Sequence, residues 1–395
     1  MPEPLDSLLQ GVDQAIPTGE LAKRLSESRS LRVKLGMDPT APNVTLGWAV
    51  VLRKLRQFQE HGHTAVLIVG DFTAQVGDPS EMSETRRRLS AEEVGANADR
   101  LLEGFRRILL PEPLEIRYNS EWLSKLDMNA VLELTSKVTV AQLLERDDFR
   151  TRFEEERPIS LMEFLYPLLQ AMDSVAIEAD VELGGSDQLW NLLTGRDIQQ
   201  RYGKTPQVVI TVPLLVGTDG VQKMSQSFGN YIAIDDDPLE MFGKIMSLPD
   251  EAMGDYYRLA TDLEASERED LLAGLENQTV HPGEAKRRLG REVVGMYWDP
   301  DAAEKAEGAF DRVHKEHQVP EDVPEHALGV EDPVYLPILL REAGLVTSSS
   351  EGKRLIAQGA VKIEGEAVSS DEISRSLLVG RVLQAGKRRF VRVVG

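Results

Sequence analysis

Residues 31–72 read LRVKLGMDPTAPNVTLGWAVVLRKLRQFQEHGHTAVLIVGDF. Residues 31–37 are apolar enough for a strand buried on both faces, and DPTAPNVTLG turns the chain. WAVVLRKLRQFQEHG then places Val51, Leu55 and Phe58 at helical spacing and ends at Gly62, a good C-cap. TAVLIVGDF is a second apolar strand. Strand, helix and strand within roughly 40 residues make a right-handed parallel crossover, the opening of a doubly wound sheet.

The alternation continues outward from that unit. A helical lead-in is expected over residues 5–24. PLEIRYN reads as a strand, ISLMEFLYPLLQAMDSV as a helix, IEADVELGG as a strand, SDQLWNLLTGRDIQQRYG as a helix and QVVITVPLL as a strand. From residue 235 to about 319 the pattern is helical, with no strand. HQVPEDVPEHALGVEDP, residues 317–333, carries three prolines among acids and reads as a linker. Two short helices, YLPILLREAG and SSSEGKRLIAQG, then precede AVKIEGEAV and KRRFVRVV, both of strand composition. The expected chain is α/β with a Rossmann-like doubly wound parallel sheet, then an all-α part, then a small α+β module.

At 395 residues, two or three domains are expected. The composition, 41% hydrophobic and 28% charged, is that of a soluble globular chain. No run approaches the roughly 18 uncharged apolar residues of a membrane span. The opening MPEPLDSLLQGVDQ lacks the features of a signal peptide, so a cytoplasmic protein is expected. With no cysteine and six scattered histidines, disulfides, thiolate chemistry and a metal site are not expected. The net charge of −21 opposes nucleic-acid binding at first. Residues 334–395, however, hold ten Lys/Arg against six Asp/Glu, a net of +4 that leaves −25 on the rest. A small basic module on an acidic body suggests a tethered RNA- or DNA-binding piece.

In a doubly wound sheet, ligands bind beyond the carboxyl ends of the strands. The candidates after the first strand are Gly36, Asp38, Pro39, Thr40 and, at the helix start, Gly47. Asp71, Thr73 and Asp78 follow the second, GGSDQ (residues 184–188) a later one, and Lys223 and Ser225 the last. Glycine approaches at a helix N-terminus, several carboxylates and one lysine loop suit a nucleoside triphosphate beside a small zwitterion. A nicotinamide dehydrogenase is weakly supported, because GMDPTAP stands where G-x-G-x-x-G would be needed.

Four stretches in order, KLGMDPTAPNVTLGW, GDFTAQVGDPS, YPLLQAMDSVAIEADVELGGSDQ and LLVGTDGVQKMSQSFGNY, carry a family likeness over essentially the whole chain. The chain resembles the bacterial tyrosyl-tRNA synthetases, class I aminoacyl-tRNA synthetases. TSSSEGKRLIAQGAVKIEGE is similar to a small RNA-binding module found also in a ribosomal protein. The resemblance implies that tyrosine and Mg-ATP give tyrosyl-adenylate, from which the tyrosyl group passes to tRNA(Tyr). It implies a catalytic domain over 1–228, an anticodon-binding helical domain over 229–320, a linker over 321–333 and an RNA-binding domain over 334–395.

By the same resemblance, Asp173 accepts the phenol hydroxyl, Tyr166, Gln170 and Asp78 hold the α-ammonium, and Gln188 lies near the carboxylate. Gly36, Asp38, Gly47, Gly185, Asp187, Lys223 and Met224 belong to the ATP side. Thr40, Thr45, Lys223 and Ser225 serve the chemical step by positioning and charge stabilisation. The 220–231 loop would close over the developing pyrophosphate. Lys353, Arg354, Lys387, Arg388 and Arg389 would meet tRNA phosphates, and residues 128–144 are the candidate homodimer face.

The chain departs from the family pattern on the nucleotide side. Thr45 and Trp48 occupy the places of two signature histidines. Gln226 replaces the second lysine of K-M-S-K-S. Glu81 stands where glycine commonly follows DPS, and Met172 and Lys34 also vary. Two readings follow: a working ligase with an altered nucleotide pocket, or a catalytically weakened paralogue that binds tyrosine or RNA.

Overall fold

The computed structural model describes residues 4–78, 89–314, 323–386 and 389–395. They form two compact units, Met1–Pro300 and Asp301–Gly395. In the first, six strands make one sheet: β1 (Gln14–Ile16), β2 (Arg32–Met37), β3 (Thr64–Val69), β4 (Leu114–Tyr118), β5 (Val181–Gly185) and β6 (Val208–Val212). Their order is β1-β6-β5-β2-β3-β4. Strands β2 to β6 are parallel, with Leu35 opposite Leu67 and Leu183 opposite Ile210.

The 31–72 unit folds as its pattern requires. The crossover helix α1 (Leu46–Glu60) buries Leu52, Leu55 and Phe58 completely. Thr45 caps its start, accepting a 3.3 Å hydrogen bond from the Trp48 amide. Gly62, at φ 83°, lies just beyond its end in the left-handed conformation that costs glycine least. Strands β3 and β6 are buried along almost their whole length, as expected where helices cover both faces of a parallel sheet. Helix α2 (Leu161–Ile177) starts in a capping box between Ser160 and Glu163, and α3 (Leu189–Arg201) packs beside it.

The lead-in differs from its expected form. Residues 5–24 are not one helix but Pro4–Leu9, the edge strand β1 and Glu20–Ser26. Gly11, at φ 71°, and Pro17 interrupt helical geometry, and the freed segment pairs antiparallel with β6. The helical stretch that follows the sheet contains Pro238–Met246, Met253–Leu259, Ala265–Glu276 and Pro282–Tyr297. Arg53 of α1 ties it to the sheet by donating to the carbonyls of Leu259 and Thr261.

The helix Pro300–His314 starts at the last residue of the first unit, and the second unit packs the helices Leu336–Glu342 and Ser349–Ala357 against a five-stranded sheet. Leu336, Leu340, Ile356, Val361, Ala385 and Val393 form its core. The linker expected over 321–333 contains a strand at Glu325–Ala327, paired parallel with Arg392–Val394. Local composition could not reveal it, since its partner lies some 67 residues onward in register. Among the described residues, no helix is long and apolar enough to cross a membrane.

Candidate active site

The sheet order reverses between β2 and β5, and their carboxyl ends open into one cleft of about 330 Å³. Of the candidates named singly from the sheet domain, all but Pro39 and Asp71 line it; Asp71 instead accepts hydrogen bonds from the Ser120 amide and hydroxyl. Asp78, Tyr166, Gln170, Asp173 and Gln188, expected on the amino-acid side, line it together with Gly36, Asp38, Thr40, Thr45, Gly47, Gly185, Asp187, Lys223, Met224 and Ser225, expected on the nucleotide and chemical side.

Asp173 projects from α2 and is buried. Trp122 Nε1 donates to its Oδ1 at 2.9 Å, and Asn119 Nδ2 approaches Oδ2 at 3.4 Å. The chain of contacts continues. Asn119 Nδ2 donates to Thr73 Oγ1 (3.0 Å), Thr73 donates to Asp38 Oδ1 (2.7 Å), and the Tyr166 hydroxyl donates to Asp38 Oδ2 (2.9 Å). Asp38, expected with ATP, thus shares a network with the amino-acid residues. Gly70 is required for it: a Cβ there would lie 1.9 Å from Asp38 Oδ1.

Burial pushes the Asp38 carboxyl up to about 7, although the Thr73 and Tyr166 donors pull it down; the Asp78 and Asp173 charges raise it further. Asp173 is pushed up to about 7, again by burial, against the pull of the Lys34 charge and the Trp122 and Asn119 donors. Lys34 is fully buried beneath the cleft. Its three protons reach Glu182 Oε1 (2.8 Å), Ser174 Oγ (2.8 Å) and the Gln170 carbonyl (3.2 Å). That satisfies an ammonium completely.

Asp78 stands in a closed ring of hydrogen bonds. Arg146 Nη2 donates to Asp78 Oδ1 (3.0 Å), and Gln188 Nε2 donates to Asp78 Oδ2 (3.1 Å). Asn191 Nδ2 donates to Gln188 Oε1 (2.9 Å), and Arg146 Nη1 donates to Asn191 Oδ1 (3.0 Å). Arg146 and Asn191 are buried, so the ring orients both the carboxylate and the glutamine amide. Gln170 Oε1 is buried with no hydrogen-bond partner among the described residues, an acceptor left for a donor.

Glycines Gly36, Gly47 and Gly185 bring backbone up to the cleft. A Cβ on Gly36 would meet nothing within 4 Å, so the space beside it is open. At the start of α1, the Gly47 amide faces Met224 Sδ at 3.4 Å, and Trp48 lies against Phe105 with ring centroids 5.7 Å apart. Lys223 Nζ pairs with Asp187 Oδ2 at 2.8 Å. Lysine loop and acidic turn therefore meet directly across the cleft.

In the second unit, Lys353 and Arg354 are exposed on Ser349–Ala357. Lys353 lies 3.6 Å from Asp371 and over the Tyr335 ring at 5.7 Å, and Arg389 pairs with Glu351 at 3.2 Å. Lys387 and Arg388, like Glu81, lie outside the described residues. Sequence reading missed Asn119, Trp122, Arg146 and Asn191. Asn119 follows a strand and was open to the strand-end rule; Arg146, inside LERDDF, carried no signal beyond surface charge.

The sequence matches the family described as tRNA synthetases class I (W and Y) over residues 26–315. It is 51% identical over 390 residues to a tyrosine–tRNA ligase of Moorella thermoacetica, covering 98% of this chain and 94% of the relative. The tyrosine–tRNA ligase of Thermotoga maritima is 47% identical over 393 residues, with 100% and 98% covered. Among solved structures, tyrosyl-tRNA synthetase of Archaeoglobus fulgidus, complexed with L-tyrosine, superposes with TM-score 0.63 at 24% identity. It covers 77% of this chain and 98% of that one, a likeness of fold.

Proposed function

The chain belongs to the class I tRNA synthetases of the tryptophan and tyrosine type, and on that premise we propose that it is a tyrosine–tRNA ligase. It joins tyrosine to ATP as tyrosyl-adenylate with release of pyrophosphate, then passes the tyrosyl group to the terminal ribose of tRNA(Tyr). The observation that carries this reading is the single cleft at the sheet's switch point, lined by both sets of residues.

Asp173 is the acceptor for the phenol hydroxyl, aimed by Trp122 and Asn119. The α-ammonium is held by Asp78, Tyr166 and the unpartnered Gln170 Oε1. Gln188, its amide fixed by Asn191, serves the substrate carboxylate. That carboxylate is the nucleophile: one oxygen forms a bond to the α-phosphorus while the bond to pyrophosphate breaks. No side chain need take a proton. The rate comes from alignment and from stabilising the leaving charge, with Lys223, Ser225, Thr40 and Thr45 at the phosphate end and Mg-ATP as the substrate. Lys223 must release Asp187 to reach phosphate, and Asp187 is then free for the ribose.

The exposed Lys353 and Arg354 support 334–395 as the tRNA-holding module, with 229–320 as the anticodon-binding part. A homodimer is supported by Met128, Leu132 and Val140, which project exposed from the helices Met128–Thr135 and Val140–Leu143. A cytoplasmic enzyme fits this role.

The test is tyrosine-dependent ATP–pyrophosphate exchange by the purified full chain, followed by charging of tRNA(Tyr). Exchange that needs tyrosine and ignores phenylalanine is the expected result. Tyrosine binding without exchange would overturn the ligase.

A further inference from the structure

Gln226 stands in the 220–231 loop where the family signature has its second lysine, and the structure gives it a task lysine cannot perform. Its Oε1 accepts from the Asn43 backbone N–H at 3.2 Å, and its Nε2 donates to the Asn43 carbonyl at 2.8 Å. One side-chain amide thus pairs with both groups of one residue, as a neighbouring strand would. The orientation of that amide is unambiguous, because Asn43 N can only donate and Asn43 O can only accept. A lysine offers donors alone; it could hold the carbonyl but would leave the N–H without its acceptor.

The contact is anchored on both sides. Asn43 Nδ2 also donates to the Tyr231 hydroxyl at 3.2 Å. On the same turn, Leu46 N donates to Ile232 O, Ile234 N donates to Val44 O, and Thr45 bridges Ala233. Within the loop, Asn230 Oδ1 accepts from Ser225 N at 2.9 Å, while its Nδ2 donates to Asp219 and to the Lys223 carbonyl. The loop is therefore internally braced, and Gln226 is where its tip meets the turn that carries Thr40 and Thr45.

We propose that Gln226 is a positioning residue: it latches the 220–231 loop to the Asn43 turn, next to the helix start at Thr45, before nucleotide arrives. This rests on the ligase reading for its consequence but not for its geometry. The latch exchanges one cation at the phosphate end for preorganisation, trading charge stabilisation for a lower cost of ordering the loop.

The test compares Gln226→Ala, Gln226→Lys and Gln226→Glu in the full chain by hydrogen–deuterium exchange without ligand, with fragmentation resolving residues 40–46. The three substitutions differ by design. Alanine removes both bonds, lysine removes the acceptor, and glutamate keeps the acceptor while losing the donor. Asn43 N–H is expected to exchange about 10-fold faster in the alanine and lysine variants, and faster by a smaller factor in the glutamate variant, which keeps the acceptor while setting its other oxygen against the Asn43 carbonyl. In pyrophosphate exchange, Gln226→Ala should raise the KM for ATP about 5- to 10-fold and leave the KM for tyrosine unchanged. Equal Asn43 exchange in the parent, alanine and lysine proteins overturns the latch. So does a lysine variant that turns over faster with unaltered Asn43 exchange, since position 226 would then only lack a charge. If the parent shows no pyrophosphate exchange, the ligase reading fails while the Asn43 pattern still decides the latch.

Discussion

Asp173→Asn should make the protein more stable at pH 8 and worse at telling tyrosine from phenylalanine. The carboxyl is buried and raised from 3.8 to about 7, so its ionisation at pH 8 opposes folding by at most about 4 kcal/mol. The neutral isostere removes that penalty. Its amide oxygen can still accept from Trp122 Nε1, but its NH₂ then faces Asn119 Nδ2, at a cost of about 1–2 kcal/mol. The net gain is about 2 kcal/mol, or about 4 °C in Tm for a unit of this size. The pH dependence has a definite sign. A carboxyl raised in the folded state contributes stability fully below its unfolded value of 3.8 and loses it as pH rises through about 7. The advantage of the variant is therefore full at pH 8 and falls by more than half at pH 5.

Function moves the other way. A phenol donating to a carboxylate is a charge-assisted bond, and weakening it should raise the KM for tyrosine about 10- to 100-fold while leaving phenylalanine unchanged. The assays are thermal unfolding at pH 8 and pH 5, and pyrophosphate exchange with each amino acid. The reasoning is refuted if the variant is less stable than the parent at pH 8. Equal differences at the two pH values, or an unchanged tyrosine-to-phenylalanine ratio, refute it as well.

Two further variants probe other parts of the molecule. Arg146→Lys keeps the charge but cannot bridge Asp78 and Asn191 together; it should raise the KM for tyrosine about 10-fold with the KM for ATP unchanged, and equal shifts in both would show a general loss of structure. Lys353→Glu with Arg354→Glu should weaken tRNA binding and flatten its salt dependence by about 1 to 2 in the log–log slope, leaving pyrophosphate exchange intact, and an unaltered slope would remove these residues from the RNA contact.

Much of the site was legible because its parts repeat local rules. Apolar runs marked β2, β3 and β6, helical spacing marked α1, and the residues just beyond those strands line the cleft. The edge strand β1 and the strand Glu325–Ala327 escaped, since a three-residue strand has no periodicity of its own and exists only because a distant partner offers its backbone. Arg146 escaped for the same reason at the level of a side chain: beside acids in LERDDF it reads as solvated charge.

The order of apolar segments along the chain was sufficient to specify a parallel sheet and to say at which edge of it ligands gather. Burial and partnership were settled only in three dimensions. Arg146, Asp78, Gln188 and Asn191 come from separate segments and orient one another, and Gln226 finds Asn43 across 183 positions. A side chain's polarity is a property of its own atoms, whereas its desolvation and the direction of its hydrogen bonds depend on whatever the fold brings against it.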